Sequence, residues 1–192
     1  AIQNKLNILL KGKPGIGKTE IVLAAAAESQ SDVVLFHPAI SDPTDFKGFP
    51  FAARVKKDEI PHAEFLPFGD LLNLIQAKKR TVAFMDDIGQ ANPGVQAALM
   101  QLVLARRVNG HTVSDEVVFI GATNDIQDAS GVHGMLEPLK SRWASIIEVE
   151  TSLDDWVRWA FQNQMPVDLI AFLRFRPNLL SDFNPTRALV NS

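Results

Sequence analysis

The 192-residue chain carries 22 acidic and 19 basic residues, a formal net charge of −3. That length holds one good core plus a small appendage, and the slightly negative balance gives no global field that would draw the protein to nucleic acid. The absence of cysteine excludes disulfides, thiol catalysis and thiolate-held zinc, leaves oxygen ligands for any metal, and suits a cytoplasmic location.

No apolar run reaches the length of a membrane span, and residues 1–10 lack the basic-then-apolar plan of a signal peptide. The chain begins without Met and ends at Ser192 where a helix starts, so it reads as a trimmed piece of a longer protein.

In chain order, residues 6–10 are short and apolar enough for a buried parallel strand. They run into Gly12-Lys13-Pro14-Gly15-Ile16-Gly17-Lys18-Thr19, a complete G-x-x-x-x-G-K-[ST] octet, and then into an Ala-rich stretch over 20–28 that favours helix. Strand, glycine loop and helix in that order form a phosphate cradle. The glycines let backbone N–H groups close around phosphate oxygens, Lys18 brings a point charge to the β/γ-phosphates, and Thr19 offers a hydroxyl to Mg²⁺. A helix starting near Gly17 adds its positive end. The octet therefore predicts binding of a nucleoside triphosphate.

Further apolar runs at 33–36, 82–85, 117–120 and 146–149 are continuous rather than alternating, as parallel strands covered on both faces require. The pattern predicts an α/β sandwich of three layers around a five-stranded parallel sheet. Between the second and third runs, Gly48-Phe49-Pro50-Phe51, followed by Arg54, Lys56 and Lys57, reads as an exposed aromatic and basic loop, although such segments are more often structural or solvated. The third run ends in Asp86-Asp87, where the carboxyl ends of parallel strands place a nucleotide site. There Asp86 would hold Mg²⁺ and Asp87 would orient or polarise the attacking water.

Over 93–104, Val95, Ala98, Leu99, Leu102 and Val103 form one apolar helix face that belongs to the core. Asn109-Gly110 between β-prone residues predicts a two-residue hairpin over 106–114, flanked by Arg106 and Arg107. The fourth run leads to Thr123-Asn124, whose amide can hydrogen-bond both a water and a γ-phosphate oxygen. After the fifth run, Ser152 with Asp155 resembles a capping box, Trp156, Trp159 and Ala160 share a helix face, and Pro166 opens a helix carrying Leu169, Ile170, Phe172 and Leu173. We therefore divide the chain into a nucleotide-binding core, 1–150, and a small C-terminal helical lid, 151–192, itself truncated. His37, His62, His111 and His133 show no ligand-like spacing.

With these motifs in order, the chain resembles an AAA+ ATPase. Within that class, Phe84-Met85-Asp86-Asp87-Ile88-Gly89-Gln90-Ala91-Asn92-Pro93-Gly94-Val95-Gln96-Ala97-Ala98-Leu99 resembles the MoxR group. Gly121-Ala122-Thr123-Asn124, Leu139-Lys140-Ser141-Arg142-Trp143 and Pro185-Thr186-Arg187-Ala188 carry the likeness along nearly the whole chain. The resemblance implies that Asn124 is sensor 1, that Arg142 is an arginine finger given to a neighbouring subunit's nucleotide, and that Arg187 is sensor 2 on the lid. It further implies ATP with Mg²⁺, a homo-oligomeric ring that is hexameric, and a protein substrate that often carries a von Willebrand factor A-type domain. One departure stands out: the group usually has Asp-Glu where this chain has Asp86-Asp87, so Asp87 falls one methylene short. Two other readings follow from the same residues, a nucleotide-gated assembly module with weak hydrolysis and a DNA-processing ATPase of the helicase-loader type.

Overall fold

The computed structural model describes residues 1–54, 60–124 and 134–181. Its centre is a five-stranded sheet of β1 (Ile8–Lys11), β2 (Asp32–Phe36), β5 (Thr81–Met85), β8 (Val117–Thr123) and β9 (Ser145–Glu148), in the spatial order β2-β5-β8-β1-β9. All four pairings are parallel, in agreement with the sequence. Two further ribbons stand apart from this sheet: β3 (Phe49–Ala52) with β4 (Ala63–Leu66), and β6 (Arg107–Val108) with β7 (His111–Thr112).

Alternate residues of the central strands feed two cores. One face sends Leu9, Ala83, Met85, Val117 and Phe119 into a cluster with α4 (Pro93–Ala105) and with α5 (Glu137–Lys140) through Leu139. The opposite face sends Leu10, Val82, Phe84, Val118 and Ile120 against Val22 and Ala26 of α1 (Lys18–Glu28). The three layers are thus helix, sheet and helix. Each of the large side chains taken fully out of water contributes about 1.5–3 kcal/mol toward the entropy lost on folding.

Burial on both faces holds for β5 and β8, whose residues are all buried, but not for β9, all four of whose residues are exposed. That strand lies at the sheet edge, where a continuous apolar run signals a strand without guaranteeing cover.

The stripe expected on α4 is observed, with Val95, Ala98, Leu99, Leu102 and Val103 all buried. Asn92 caps this helix by accepting from Val95 N, and Pro93 opens it. The Asn109-Gly110 turn has φ of 45° and 90°, as a hairpin of the mirror-image type requires. The aromatic segment after Gly48 is strand β3 of an antiparallel ribbon rather than a loop, and Phe49 and Phe51 are exposed on it. Two elements that the sequence reading does not assign connect these parts: α2 (Pro43–Lys47), fixed by a reciprocal capping box between Asp42 and Asp45, and α3 (Gly69–Gln76), which buries Leu71 and Leu74.

Helices α6 (Leu153–Gln162) and α7 (Val167–Phe175) follow the sheet. Ser152 caps α6 by accepting from Asp155 N. Of the apolar residues expected to pack there, Ala160, Ile170 and Leu173 are buried, while Trp159, Leu169 and Phe172 stay exposed. Among the described residues no helix is long and apolar enough to cross a membrane.

Candidate functional site

The strand register brings the predicted residues together. Lys11 pairs with Thr123 and Met85 with Gly121, so the residues just past the carboxyl ends of β1, β5 and β8 converge at one edge of the sheet. The glycine loop leaves β1, Asp86 and Asp87 leave β5, and Asn124 leaves β8. Two backbone hydrogen bonds stitch the exits together, from Gly12 N to Thr123 O (3.3 Å) and from Asp86 N to Phe36 O at the end of β2 (3.0 Å).

The loop has the backbone its glycines predict. Gly15 and Gly17 have φ of 76° and 90°, values that cost a side chain dearly. Gly12 is needed for space instead: a Cβ there would lie 2.7 Å from the backbone oxygen of Val149 and 2.5 Å from Ile16 Cδ1. Gly17 stands at the N-cap of α1, and no side chain caps that helix. The N–H groups of the first turn therefore face the loop's concavity without a side-chain acceptor, which is the arrangement an anion fits.

Lys18 is buried, and its ammonium donates to Gly12 O (3.1 Å), Lys13 O (2.9 Å) and Asn124 Oδ1 (2.7 Å). The Asn124 amide passes the contact on, since its Nδ2 donates to Asp87 Oδ1 at 2.9 Å. Thr19 Oγ1 donates to Asp86 Oδ2 at 2.7 Å. A hydroxyl and a carboxylate oxygen, hard donors side by side next to the phosphate cradle, make a fitting seat for Mg²⁺.

Asp87 has φ of 52° and ψ of 37°, in the left-handed region that aspartate tolerates better than most residues. This turn lets Asp86 and Asp87 diverge, with Asp87 N donating to Asp86 Oδ1 (3.0 Å) while Asp87 aims its carboxylate at Asn124. Burial pushes the Asp87 carboxyl above its usual value, and the Asp86 carboxylate adds to this. Lys18, the Asn124 hydrogen bond and His37 pull it back. Burial likewise lowers the Lys18 ammonium, opposed by Asp87 and Asp86. Both charges are thus held at some cost by the fold.

Beside the loop, a cavity of about 340 Å³ is lined by Lys11, Gly12, Lys13, Ile16, Val149, Glu150, Thr151 and Ser181, among others. Its position against the phosphate loop gives room for the remainder of a nucleotide.

Arg142 follows α5 and is half-buried; its Nη1 donates to Ser141 Oγ at 2.7 Å. It makes no ion pair among the described residues, and its buried Nε lacks a partner there. Arg187, like Lys56, Lys57 and His133, lies outside the described residues. Arg106 is not offered outward: it donates to Ser114 O and Val117 O (2.6 and 2.9 Å) and lies over the Phe119 ring. His62 and His111 are engaged with carbonyls, of Ile60 and Phe65 respectively, as residues without ligand spacing would be.

Sequence reasoning missed His37, close enough at the end of β2 to act on Asp87, and Gln96, a fully buried amide in α4. A polar residue three before Leu99 and seven before Val103, hence on the apolar stripe, was the available signal for Gln96.

A parallel sheet with a glycine loop at the carboxyl end of β1 and an acidic pair at that of β5 defines a P-loop nucleotide-binding protein of the α/β class. The family model described as "ATPase family associated with various cellular activities (AAA)" matches residues 8–151, and the chain belongs to that family. Among solved structures, the RuvB Holliday junction branch migration motor of Thermotoga maritima is 19% identical with a TM-score of 0.53, covering 80% of this chain and 41% of its own. A variant of the same RuvB gives 18%, 0.56, 82% and 44%, and a Cytophaga hutchinsonii protein described provisionally as an ATPase gives 17%, 0.50, 78% and 43%. At such identities these structures attest the fold. The chain spans 41% to 44% of their length. None of the curated protein sequences compared with it matches.

Proposed function

We propose that this chain is a MoxR-like AAA+ module that binds and hydrolyses Mg-ATP in a subunit ring, hexameric by resemblance, and uses the cycle to remodel a protein partner. The observation that carries the reading is the single hydrogen-bonded cluster in which Asn124 joins Lys18 to Asp87 while Thr19 meets Asp86. Residues of three separate chain regions meet there in the roles phosphoryl transfer asks for.

In this reading the backbone N–H groups of Lys13, Gly15, Ile16, Gly17 and Lys18 and the Lys18 ammonium hold the phosphates, while Gly12, whose N–H is given to Thr123 O, and Pro14, which has none, shape the loop around them. Thr19 and Asp86 hold the magnesium, which when bound neutralises phosphate charge. Asp87 accepts a proton or hydrogen bond from the attacking water, and Asn124 fixes Asp87 and the water together. Arg142 acts on the neighbour's triphosphate, where a planar guanidinium meets equatorial oxygens with paired donors. Arg187 would complete the set from the lid, residues 151–192. The exposed Phe49 and Phe51 of the β3–β4 ribbon are the contacts we assign to the protein substrate, of which one carrying a von Willebrand factor A-type domain is the expected kind.

The experiment is ATP turnover measured against protein concentration, alongside size measurements with and without a non-hydrolysable ATP analogue. Turnover should rise more than linearly and the particle should grow with nucleotide. A linear dependence down to monomer concentrations would count against the ring. A DNA motor is the second reading, favoured by the RuvB structures and disfavoured by the net charge of −3; turnover unmoved by single- or double-stranded DNA argues against it. A nucleotide-gated module, the third reading, predicts tight ATP binding without turnover even after Asp87→Glu.

A further inference from the structure

Gln96 is the single fully buried side-chain amide among the described residues. It occupies the apolar stripe of α4, where leucine or methionine would fill the same space without a polar group to satisfy. Its amide is instead satisfied on both ends: Nε2 donates to Ala91 O and Gly134 O, each at 3.0 Å, and Oε1 accepts from Leu136 N at 2.8 Å.

The three partners belong to two segments with different duties. Ala91 closes the 3₁₀ turn Ile88–Gln90, whose first residue follows Asp87 directly. Gly134 and Leu136 lead into α5, a helix of four residues whose Leu139 and Lys140 N–H groups return to Leu136 O (2.9 and 3.1 Å). Arg142 N donates to Leu139 O (3.2 Å) in the next step. One helical turn cannot hold its own geometry, so the placement of Arg142 depends on what fixes residues 134–136 ahead of it as well as on the buried Leu139 and Trp143 beside it. The two segments also run close together, since a Cβ built on Gly89 would lie 4.0 Å from Met135 N.

We infer that Gln96 is a positioning residue for Arg142, clamping the arginine-bearing segment to the turn that follows the acidic pair so that the guanidinium reaches the neighbouring subunit's nucleotide. This rests on the proposed action of Arg142 in trans. The amide keeps the two segments in one register, and loss of that register displaces the guanidinium while leaving the phosphate cradle of the same subunit intact.

The test uses the full chain with Gln96→Met, which keeps the volume and removes all three hydrogen bonds. ATP affinity should stay unchanged while turnover falls about tenfold or more, because a guanidinium displaced by about 1 Å loses its transition-state contact. A structural fault alone could also slow turnover, so the deciding readout is complementation. Asp87→Ala subunits hydrolyse nothing but carry an intact arginine, and mixed with Gln96→Met subunits they should restore turnover above the sum of the two parts. If Gln96→Met does not fold, Leu136→Pro replaces it: the φ of Leu136, −59°, already suits proline, and the change deletes the N–H that Gln96 Oε1 accepts.

A parallel mixture of Arg142→Ala with Asp87→Ala separates the two ways of failing. If that mixture complements and the Gln96 mixture gives only the sum, Gln96 serves its own subunit and the inference is overturned, while the trans arginine stands. If neither complements, the trans arginine itself is wrong and the inference falls with it.

Discussion

Lys18 Nζ lies 2.7 Å from Asn124 Oδ1, and the same Asn124 amide donates to Asp87. The cation that follows β1 and the carboxylate that follows β5 are therefore linked, across the intervening β8, through one side chain. An amide suits this position because it presents an acceptor to the ammonium and a donor to the carboxylate at once.

Replacing Lys18 by Ala removes the charge at the centre of the cradle. Charge-assisted hydrogen bonds of this kind are worth about 1.5–3 kcal/mol each, so ATP affinity should fall on the order of tenfold to a hundredfold or more. Titration with a fluorescent ATP analogue measures it. Unaltered affinity would show that no triphosphate sits against this loop.

Asn124→Ala should separate binding from turnover. Lys18 keeps its two carbonyl partners, Gly12 O and Lys13 O, so nucleotide affinity should change little, whereas Asp87 loses its tether and the rate should drop about a hundredfold. Equilibrium binding set beside single-turnover hydrolysis checks both halves.

The pH dependence of stability follows from the direction of the Asp87 shift. Burial, then the Asp86 carboxylate, raises its pKa in the folded protein, so folding favours the protonated form. The resulting stabilisation is fully present below the ordinary carboxylate value of 3.8 and is lost as pH rises through the raised value. At neutral pH, with no nucleotide or magnesium added, Asp87→Asn should therefore unfold at a higher urea concentration than the wild type. The advantage should shrink as pH is lowered past the raised value toward 3.8. A difference that grows on acidification would contradict the assignment.

Gly89 is required by proximity and not by φ. A Cβ at this position would lie 2.3 Å from Thr123 Oγ1, and Thr123 is buried next to Asn124. Gly89→Ala should cost about 1–3 kcal/mol by overpacking and slow turnover by displacing Asn124. Adding Thr123→Ala removes the obstructing hydroxyl and should recover part of both. Urea midpoints and ATP hydrolysis of the two variants provide the comparison.

What the sequence revealed depended on how local each signal is. The glycine octet, the Asp86-Asp87 pair and the Asn109-Gly110 turn are local chemistry, and each stands where its residues require. The strands announced themselves through continuous apolar runs, but such a run cannot tell a central strand from an edge, which is why β9 is exposed. The β3–β4 ribbon looks like a loop in the sequence because Gly48 and Pro50 punctuate it and its pairing joins residues up to 17 apart, from Phe49 to Leu66. The contacts of Gln96 with Gly134 and Leu136 span 38 and 40 positions, a distance over which spacing carries no information. Asp87 shows the opposite case: the missing methylene is plain in the sequence, but the left-handed turn that points the shorter side chain at Asn124 is visible only in three dimensions.

The two small ribbons are bolted together. Asn109 Nδ2 donates to Lys47 O at 2.8 Å just ahead of β3, and His111 Nε2 to Phe65 O of β4 at 2.9 Å. The second ribbon is itself anchored by buried Val108 and Val113 and by Arg106, whose guanidinium grips Val117 O at the root of β8. The exposed phenylalanines of the first ribbon are thus connected, through the second, to the start of a fully buried strand whose other end leads into Asn124. The outermost ribbon and the nucleotide site are the two ends of one continuous hydrogen-bonded connection.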